Sequence, residues 1–203
     1  MTALDTNALS LLFVPGAEVA KSDGTGRVKY AKERLEEWIN VSIRAGEPIL
    51  IGTPVLAETL VKVPPREIPG LVATLKNSPH FRIETFDLAC ALELADRTSR
   101  AIAGGDKREG SAATWTKIKF DRQIITIAIV NGASELISND PDLLAIGKRW
   151  NFKVMGIEDL PLPQSHIPPP LLAPLEEDAE LPPVEGEEHP LTIPPPAETG
   201  KDD

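Results

Sequence analysis

The sequence predicts an α/β fold with a central, mostly parallel sheet of about five strands flanked by helices. Short aliphatic runs alternate with longer amphipathic stretches over residues 1–160, which is the pattern of strands joined by crossover helices. From Pro161 onward the composition changes to prolines and acids, so the folded core is expected to end near residue 160. A core of roughly 150 residues buries enough surface to be stable without disulfides or structural metals.

The predicted strands and helices follow from these runs in chain order. The strands are the aliphatic segments at residues 2–4, 49–52, 82–85, 134–138 and 153–156. The helices are the amphipathic segments at residues 28–45, 55–61, 68–77, 88–103, 122–131 and 141–150. Glycine-containing segments at residues 14–25 and 104–110 are predicted loops. In the longest helix, apolar residues at helical spacing are predicted to be core residues: Ala31, Leu35, Trp38, Ile39 and Ile43.

The few cysteines and histidines exclude several kinds of site. Cys90 is the only cysteine, so an intramolecular disulfide is excluded, and His80, His166 and His189 are too far apart in sequence to indicate a local zinc site. The N-terminus lacks the basic and apolar regions of a signal peptide, and no apolar run is long enough for a membrane span. We therefore expect a soluble cytoplasmic protein without a membrane partner.

The predicted tail, residues 161–203, carries most of the net charge of −10. It contains ten acids and one lysine, which leaves a net charge of −1 for residues 1–160. The acidic balance of the chain therefore does not exclude a nucleic-acid partner for the core. We predict that the tail is disordered or polyproline-like, because proline lacks an amide donor and few groups can be buried. Two roles remain open: a solubilising tail, or a segment that binds a partner or competes for the core's ligand.

Five acidic residues follow predicted strands or begin predicted helices in the core. Asp5 comes directly after the first strand, and Glu58 lies in the first turns of the helix after the second strand. Asp121 opens a predicted helix, and Asp140 and Asp142 follow the fourth strand. Because ligands of open α/β sheets bind at the carboxyl ends of the strands, we expect these acids to converge there. Carboxylates are hard oxygen ligands of the kind that Mg²⁺ and Mn²⁺ prefer.

Each of these acids also has an ordinary structural explanation. Asp121 and Asp140 are placed to cap helix N-termini, where a side-chain oxygen accepts a backbone amide. Glu58 is explained equally as a solvated helix residue, and Asp142 stays open between the two interpretations. Asp5 is the hardest to explain in this way, because a carboxylate directly after an apolar strand is costly to leave unpaired.

Taken together and in order, these motifs resemble the PIN-domain family, which includes the VapC-type toxins of toxin–antitoxin systems. No single motif is specific, and the combination carries the resemblance over residues 1 to about 157. Its four segments are Leu4-Asp5-Thr6-Asn7, the mid-chain Glu58, Phe120-Asp121-x-x-Ile124-x-x-x-Ala128 and Ser138-Asn139-Asp140-x-Asp142.

The resemblance implies a Rossmann-like three-layer sandwich and Mg²⁺- or Mn²⁺-dependent endoribonuclease activity, in which metal-activated water hydrolyses RNA phosphodiester bonds. It also implies an RNA substrate, an antitoxin or other protein partner, and a homodimer. The site residues that it implies are the catalytic metal ligands Asp5, Glu58, Asp121 and Asp140, the additional or water-mediated ligand Asp142, and the supporting polar residues Asn7 and Ser138.

Basic residues near the predicted metal site are candidate contacts for RNA phosphates. They are Lys107 and Arg108 in the predicted loop, and Lys117, Lys119 and Arg122 around Asp121. The alternative is an ordinary solvated helix start. Trp115 is likewise open between stacking on a base and packing inside the protein.

Two other functions compete with RNA cleavage. A catalytically inactive PIN-like scaffold would bind RNA or a protein partner, but the presence of all four acids favours catalysis. A Mg²⁺-dependent hydrolase of small phosphate esters is disfavoured because a phosphate-cradling glycine motif is missing. The sequence also lacks a plausible Cys/His pair or a Gly-x-Ser-x-Gly elbow, which agrees with a mechanism that needs no side-chain nucleophile.

Overall fold

The structure is a computed structural model that describes residues 1–163 and 166. Contacts within the chain place residues 1–167 in one unit and residues 168–203 in another. The predicted tail therefore lies almost wholly outside the described residues, and its disorder stays a prediction. Within the described part, no helix has both the length and the apolar character that crossing a membrane requires.

Five parallel strands form one sheet in the described residues, as the sequence predicts. The spatial order of the strands is β3-β2-β1-β4-β5, so the first strand lies at the centre. Helices flank this sheet, and the α/β three-layer fold is confirmed. The strands are β1 (Thr2–Leu4), β2 (Ile49–Gly52), β3 (Phe81–Glu84), β4 (Glu135–Ile137) and β5 (Lys153–Met155).

Seven α-helices connect the strands within the described residues, which also include one short 3₁₀ turn. The 3₁₀ turn spans Ile157–Asp159 and follows the last strand. The helices are α1 (Thr6–Phe13), α2 (Ala31–Arg44), α3 (Thr53–Val61), α4 (Ile68–Asn77), α5 (Leu88–Ala103), α6 (Trp115–Val130) and α7 (Pro141–Trp150).

Two helices depart most from the predictions, while the others begin and end within three residues of the predicted bounds. Helix α1 was not predicted from the sequence, and it begins where the Asp5 carboxylate caps the backbone amide of Ala8. The predicted helix at 122–131 begins earlier, at Trp115, because the Thr114 hydroxyl accepts the Lys117 amide and caps it there. As a result, Asp121 lies inside α6 and is not a helix cap.

The core lies between the sheet and the helices that cover it. β2 is buried along its whole length, as expected for a strand between two neighbours in a covered parallel sheet. Ala31, Leu35 and Ile39 on α2 are buried as predicted, while Trp38 and Ile43 are partly buried against the same core. α6 packs on both β2 and β4, so it runs close to the centre of the sheet. This packing fixes the direction in which its polar residues project.

The strand order creates a crevice between β1 and β4. From β1 the chain proceeds to β2 and β3 on one side, and it later returns to place β4 and β5 on the other. Ligands of such sheets bind at this switch point, beyond the carboxyl ends of the strands. Asp5 follows β1 and Ser138 follows β4, and the Asp5 amide donates to the carbonyl of Ile137 at 3.2 Å. The fold therefore brings two predicted site residues together.

The close packing of α7 on β5 gives a stability prediction at Gly147. A Cβ atom at this position would lie 2.8 Å from the carbonyl oxygen of Phe152 and would also overlap the side chain of Val154. Gly147→Ala should lower the free energy of unfolding by about 1–3 kcal/mol, because the backbone of β5 cannot move away cheaply. The measurement is urea unfolding followed by circular dichroism.

The matched control is Gly70→Ala in α4, where the added methyl group would meet open space. This change should be neutral or stabilise the protein by up to about 1 kcal/mol, because alanine favours the helix. Equal unfolding midpoints for the two variants would contradict the described packing of α7 on β5.

Candidate metal site

Asp5 is buried at the end of the central strand, and its exposed fraction is only 2%. One carboxylate oxygen accepts the Ala8 amide at 2.8 Å, and the other accepts the Ser138 hydroxyl. The Ser138 oxygen also accepts the amide of Asp140 at 3.0 Å. Ser138 thus links the carboxylate of Asp5 to the backbone that carries Asp140.

Burial changes the acidity of Asp5. Loss of water raises the pKa of this carboxyl group to about 7, although the hydrogen bonds from Ala8 and Ser138 partly oppose the shift. The negative charge of Asp140 adds to the rise. In the metal-free protein, Asp5 therefore exchanges its proton near neutral pH.

Asp121, Asp140 and Asp142 form a cluster in which one carboxylate oxygen from each lies within 4.8 Å of the others. Asp121 projects from α6 and is 4% exposed, while the other two lie at the start of α7. Asp140 caps α7 by accepting the Asp142 amide at 2.8 Å. The capping explanation is therefore correct for Asp140 and wrong for Asp121. It does not account for the convergence of the three acids.

The amine of Lys117 lies inside this acid cluster. Its Nζ is 2.8 Å from an oxygen of Asp121, 2.9 Å from Asp140 and 2.7 Å from Asp142. Lys117 was predicted from the sequence to contact RNA, and its pairing with three predicted metal ligands was not anticipated. Any site formed by these acids therefore includes a built-in positive charge.

The charges in this cluster shift one another's pKa values. Partial burial lowers the pKa of Lys117, but hydrogen bonds to the three carboxylates outweigh burial and raise it above its usual value. The same contact holds the pKa of Asp142 below its usual range. For Asp121, burial is the largest influence and raises the pKa to about 6, although Lys117 opposes it. Lys117 thus stays charged at neutral pH, and Asp121 takes up a proton at a higher pH than Asp142 does.

Glu58 approaches the same place from α3. Its side chain is on the exposed side of the helix and accepts the Thr6 hydroxyl at 2.6 Å. It lies outside the close cluster of three aspartates. Glu58 is therefore held near the site by one neighbour while remaining open to solvent.

A cleft of about 640 Å³ joins these residues. All four acids predicted as catalytic line it, and so do Asn7 and Lys117. The lining also has an apolar part. It is formed by Pro54, Ala57, Val61, Phe120, Ile124 and Leu143.

The position of Arg122 corrects a sequence-based prediction. This residue was predicted to contact RNA, but its side chain is 1% exposed and cannot reach a ligand at the surface. Its guanidinium donates to a Glu109 carboxylate at 2.7 Å and to the Lys107 carbonyl at 2.9 Å. Arg122 therefore ties the loop of residues 104–110 to α6.

Trp115 packs beside this buried arginine. The guanidinium of Arg122 lies 5.6 Å from the ring centre of Trp115, and the amine of Lys107 lies 5.2 Å from it. These contacts favour packing of the ring inside the protein over stacking on a base. The exposed basic residues Lys107, Arg108 and Lys119 remain predicted RNA contacts, although they do not line the cleft.

No protein-family model matches the chain, and no curated protein matches its sequence. The ligand atoms that the cleft offers nevertheless indicate which class of metal ion it suits. Asp5, Glu58, Asp121 and Asp140 offer only carboxylate oxygens, which suits a hard cation such as Mg²⁺ or Mn²⁺ and does not suit a soft one. The residues present therefore fit a divalent cation of this class.

The raised pKa of Asp5 predicts how the stability of the metal-free protein depends on pH. A folded-state pKa of about 7 exceeds the unfolded value of 3.8, so the folded state binds the proton more tightly. Stability should consequently fall as the pH rises from about 4 to 7, by up to about 1.4 kcal/mol for each pH unit from this group. Asp5→Asn should flatten this dependence, because an amide does not titrate in this range, while its oxygen can still accept the Ala8 amide. The measurement is urea unfolding in EDTA across this pH range.

The control is Asp87→Asn, which changes an N-cap whose carboxylate pKa is already lowered by the Cys90 amide. Its stability should run parallel to that of the wild type between pH 4.5 and 7. If Asp5→Asn gives an equally parallel curve, the buried carboxyl group does not have the raised pKa described above.

Proposed function

We propose that the chain is a Mg²⁺- or Mn²⁺-dependent endoribonuclease that resembles the PIN-domain family. The observation that carries the proposal is the convergence of Asp5, Glu58, Asp121 and Asp140 on one cleft at the carboxyl edge of a parallel sheet. These acids come from distant parts of the chain. Helix capping or exposure to solvent explains the position of one acid at a time, but it does not explain why the four line one cleft. A shared ligand explains why they meet.

The carboxylates of these four acids would hold the metal. When bound, a divalent ion supplies activation of water for attack on phosphorus and stabilisation of charge on the phosphoryl oxygens. The protein's own residues prepare the site. Ser138 fixes Asp5 and Asp140 relative to each other. Asp5 must first lose the proton that burial favours, while Glu58 is exposed enough to adjust to the ligand.

RNA as the substrate is supported by the resemblance and by the character of the cleft. The acids provide a place for a metal and a phosphate, and the apolar wall with Phe120 and Val61 provides a surface for an unstacked base. An antitoxin or other protein partner and a homodimer are further proposals that rest on the resemblance alone.

A second candidate function is a catalytically inactive scaffold that binds RNA or a protein partner. One observation favours it: the Lys117 amine already neutralises part of the acid cluster. In such a protein Lys117 would stay paired with the three aspartates, and these acids would not bind a divalent ion. Metal binding therefore separates the two candidates.

The direct test is cleavage of a labelled RNA pool, containing single-stranded and structured segments, by the purified chain. We expect cutting with Mn²⁺ or Mg²⁺ and none with EDTA. Asp121→Asn and Asp140→Asn should each lose at least about a hundredfold in rate, because even residues that only orient metal ligands cost 10–100-fold. Asp87→Asn, an exposed cap outside the cleft, should cut like the wild type.

Each outcome of this cleavage test separates two possibilities. Equal cutting of a matched DNA pool would retain a nuclease and remove the specificity for RNA. Cutting that survives both aspartate substitutions would contradict the proposed site. No cutting by a folded protein that also fails to bind Mn²⁺ would favour the inactive scaffold.

The pKa values also predict how metal affinity depends on pH. Asp5 has a pKa of about 7 and Asp121 a pKa of about 6, so both are partly protonated in acid. Metal binding must release these protons, and affinity should therefore rise between pH 5.5 and 8, by up to about tenfold per pH unit for each proton released. Calorimetric titration with Mn²⁺ in buffers of different ionisation enthalpy measures both the affinity and the released protons. An affinity that does not change over this range would contradict the assignment of Asp5 as a ligand.

A further inference from the structure

Lys117 occupies the centre of the aspartate cluster, where its Nζ is within 3 Å of an oxygen on each of three carboxylates. We infer that its ammonium group takes the place of a second metal ion, so that the site binds one divalent cation for each chain. The inference rests on the proposed function, and it specifies how the site is charged.

The contacts of the ammonium group are complete. An ammonium has three N–H donors, and Asp121, Asp140 and Asp142 each accept one of them. Such charge-assisted hydrogen bonds are roughly twice as strong as neutral ones. The three carboxylates therefore hold the ammonium group in place. An ordinary surface lysine, in contrast, points into solvent.

The position of Lys117 in α6 keeps it at the cluster. It lies one helical turn before Asp121, so the two side chains share one face of the helix. Its side chain is still 40% exposed, which leaves the site accessible from the cleft that Lys117 helps to line. Holding a long side chain in one conformation costs rotamer entropy, and the three ion pairs offset that cost.

The carboxylate oxygens are divided between two regions of the site. On Asp142 both oxygens are already engaged, one by Lys117 at 2.7 Å and the other by the Ser111 hydroxyl at 3.1 Å. A second divalent ion on this side would have to displace both partners. Asp5 and Glu58 line the same cleft and make no hydrogen bond or ion pair with Lys117 among the described residues, so an ion bound beside them would not have to displace the lysine.

The positive charge of Lys117 is consistent with a site that holds one metal ion beside the lysine. Two-metal sites place their ions about 3.5–4 Å apart to stabilise the attacking and leaving oxygens together. An ammonium at one of these positions provides a fixed positive charge and hydrogen-bond donors without needing a second dissociable ion. The predicted role of Lys117 is therefore positioning and charge stabilisation beside the single metal.

The test is the stoichiometry of Mn²⁺ bound at equilibrium, measured by calorimetry and by native mass spectrometry at pH 8. We expect one ion in the wild type. Lys117→Met is one atom shorter and removes the charge, so this variant should bind two ions. The matched control is Lys119→Met on the same helix, which is exposed and outside the cleft and should bind one.

Thermal unfolding in EDTA and in Mn²⁺ gives a second measurement that does not depend on catalysis. Without its counter-ion the cluster should repel itself, so metal-free Lys117→Met should melt below the wild type and gain more from Mn²⁺ than the wild type does. If Lys117→Met fails to fold, Lys117→Gln replaces it, and the wild-type stoichiometry remains a test that needs no variant.

The remaining outcomes separate this inference from the proposed function. Two ions in the wild type, or one ion in Lys117→Met, would overturn the inference and leave a metal-dependent enzyme intact. Binding only by Lys117→Met would also overturn it, because the lysine would then be a block. Absence of Mn²⁺ from all the folded proteins would overturn the proposed function itself.

Discussion

The main physical constraint on this structure is the free-energy cost of holding several carboxylates close together at one edge of a buried sheet. Charges taken out of water must be paired, hydrogen-bonded or protonated. Each of these solutions is present. Lys117 pairs with three aspartates, the Ser138 hydroxyl and an amide of α1 bond to Asp5, and burial favours a proton on Asp5. A fold without a use for these acids would be more stable with apolar residues in their place.

The topology brings these charged residues together. Placing β4 beside β1 brings the residues that follow both strands to one crevice, and α6 crosses the sheet so that Asp121 points into it. Asp140 then begins the next helix, where it serves both as a cap and as a member of the cluster. The same buried helix α6 carries Arg122 in a different direction, where it fixes the loop of residues 104–110. One helix thus supports both the site and its surroundings.

The strands were predicted to within one residue at either end, because short aliphatic runs separated by amphipathic stretches are typical of buried parallel strands. The convergence of Asp5, Glu58, Asp121 and Asp140 on one cleft was also predicted, since the ends of parallel strands share an edge. Helix α1 was not predicted, although Asp5 followed by an apolar run is a helix-start signal. The partners of Lys117 and Arg122 were missed for a physical reason. A basic residue looks the same in sequence whether it faces solvent or pairs with a distant acid, as Lys117 does with Asp140 and Asp142, and only packing decides between these.

The central claim is that the acids of this cleft hold a divalent cation. Anomalous diffraction at the manganese absorption edge, from crystals of the chain grown with Mn²⁺, tests it most directly. We expect an anomalous peak in the cleft on the side of Asp5 and Glu58, with the Lys117 amine still in contact with Asp121, Asp140 and Asp142. Crystals at saturating Mn²⁺ without a peak in the cleft, and with Lys117 still contacting all three aspartates, would contradict it.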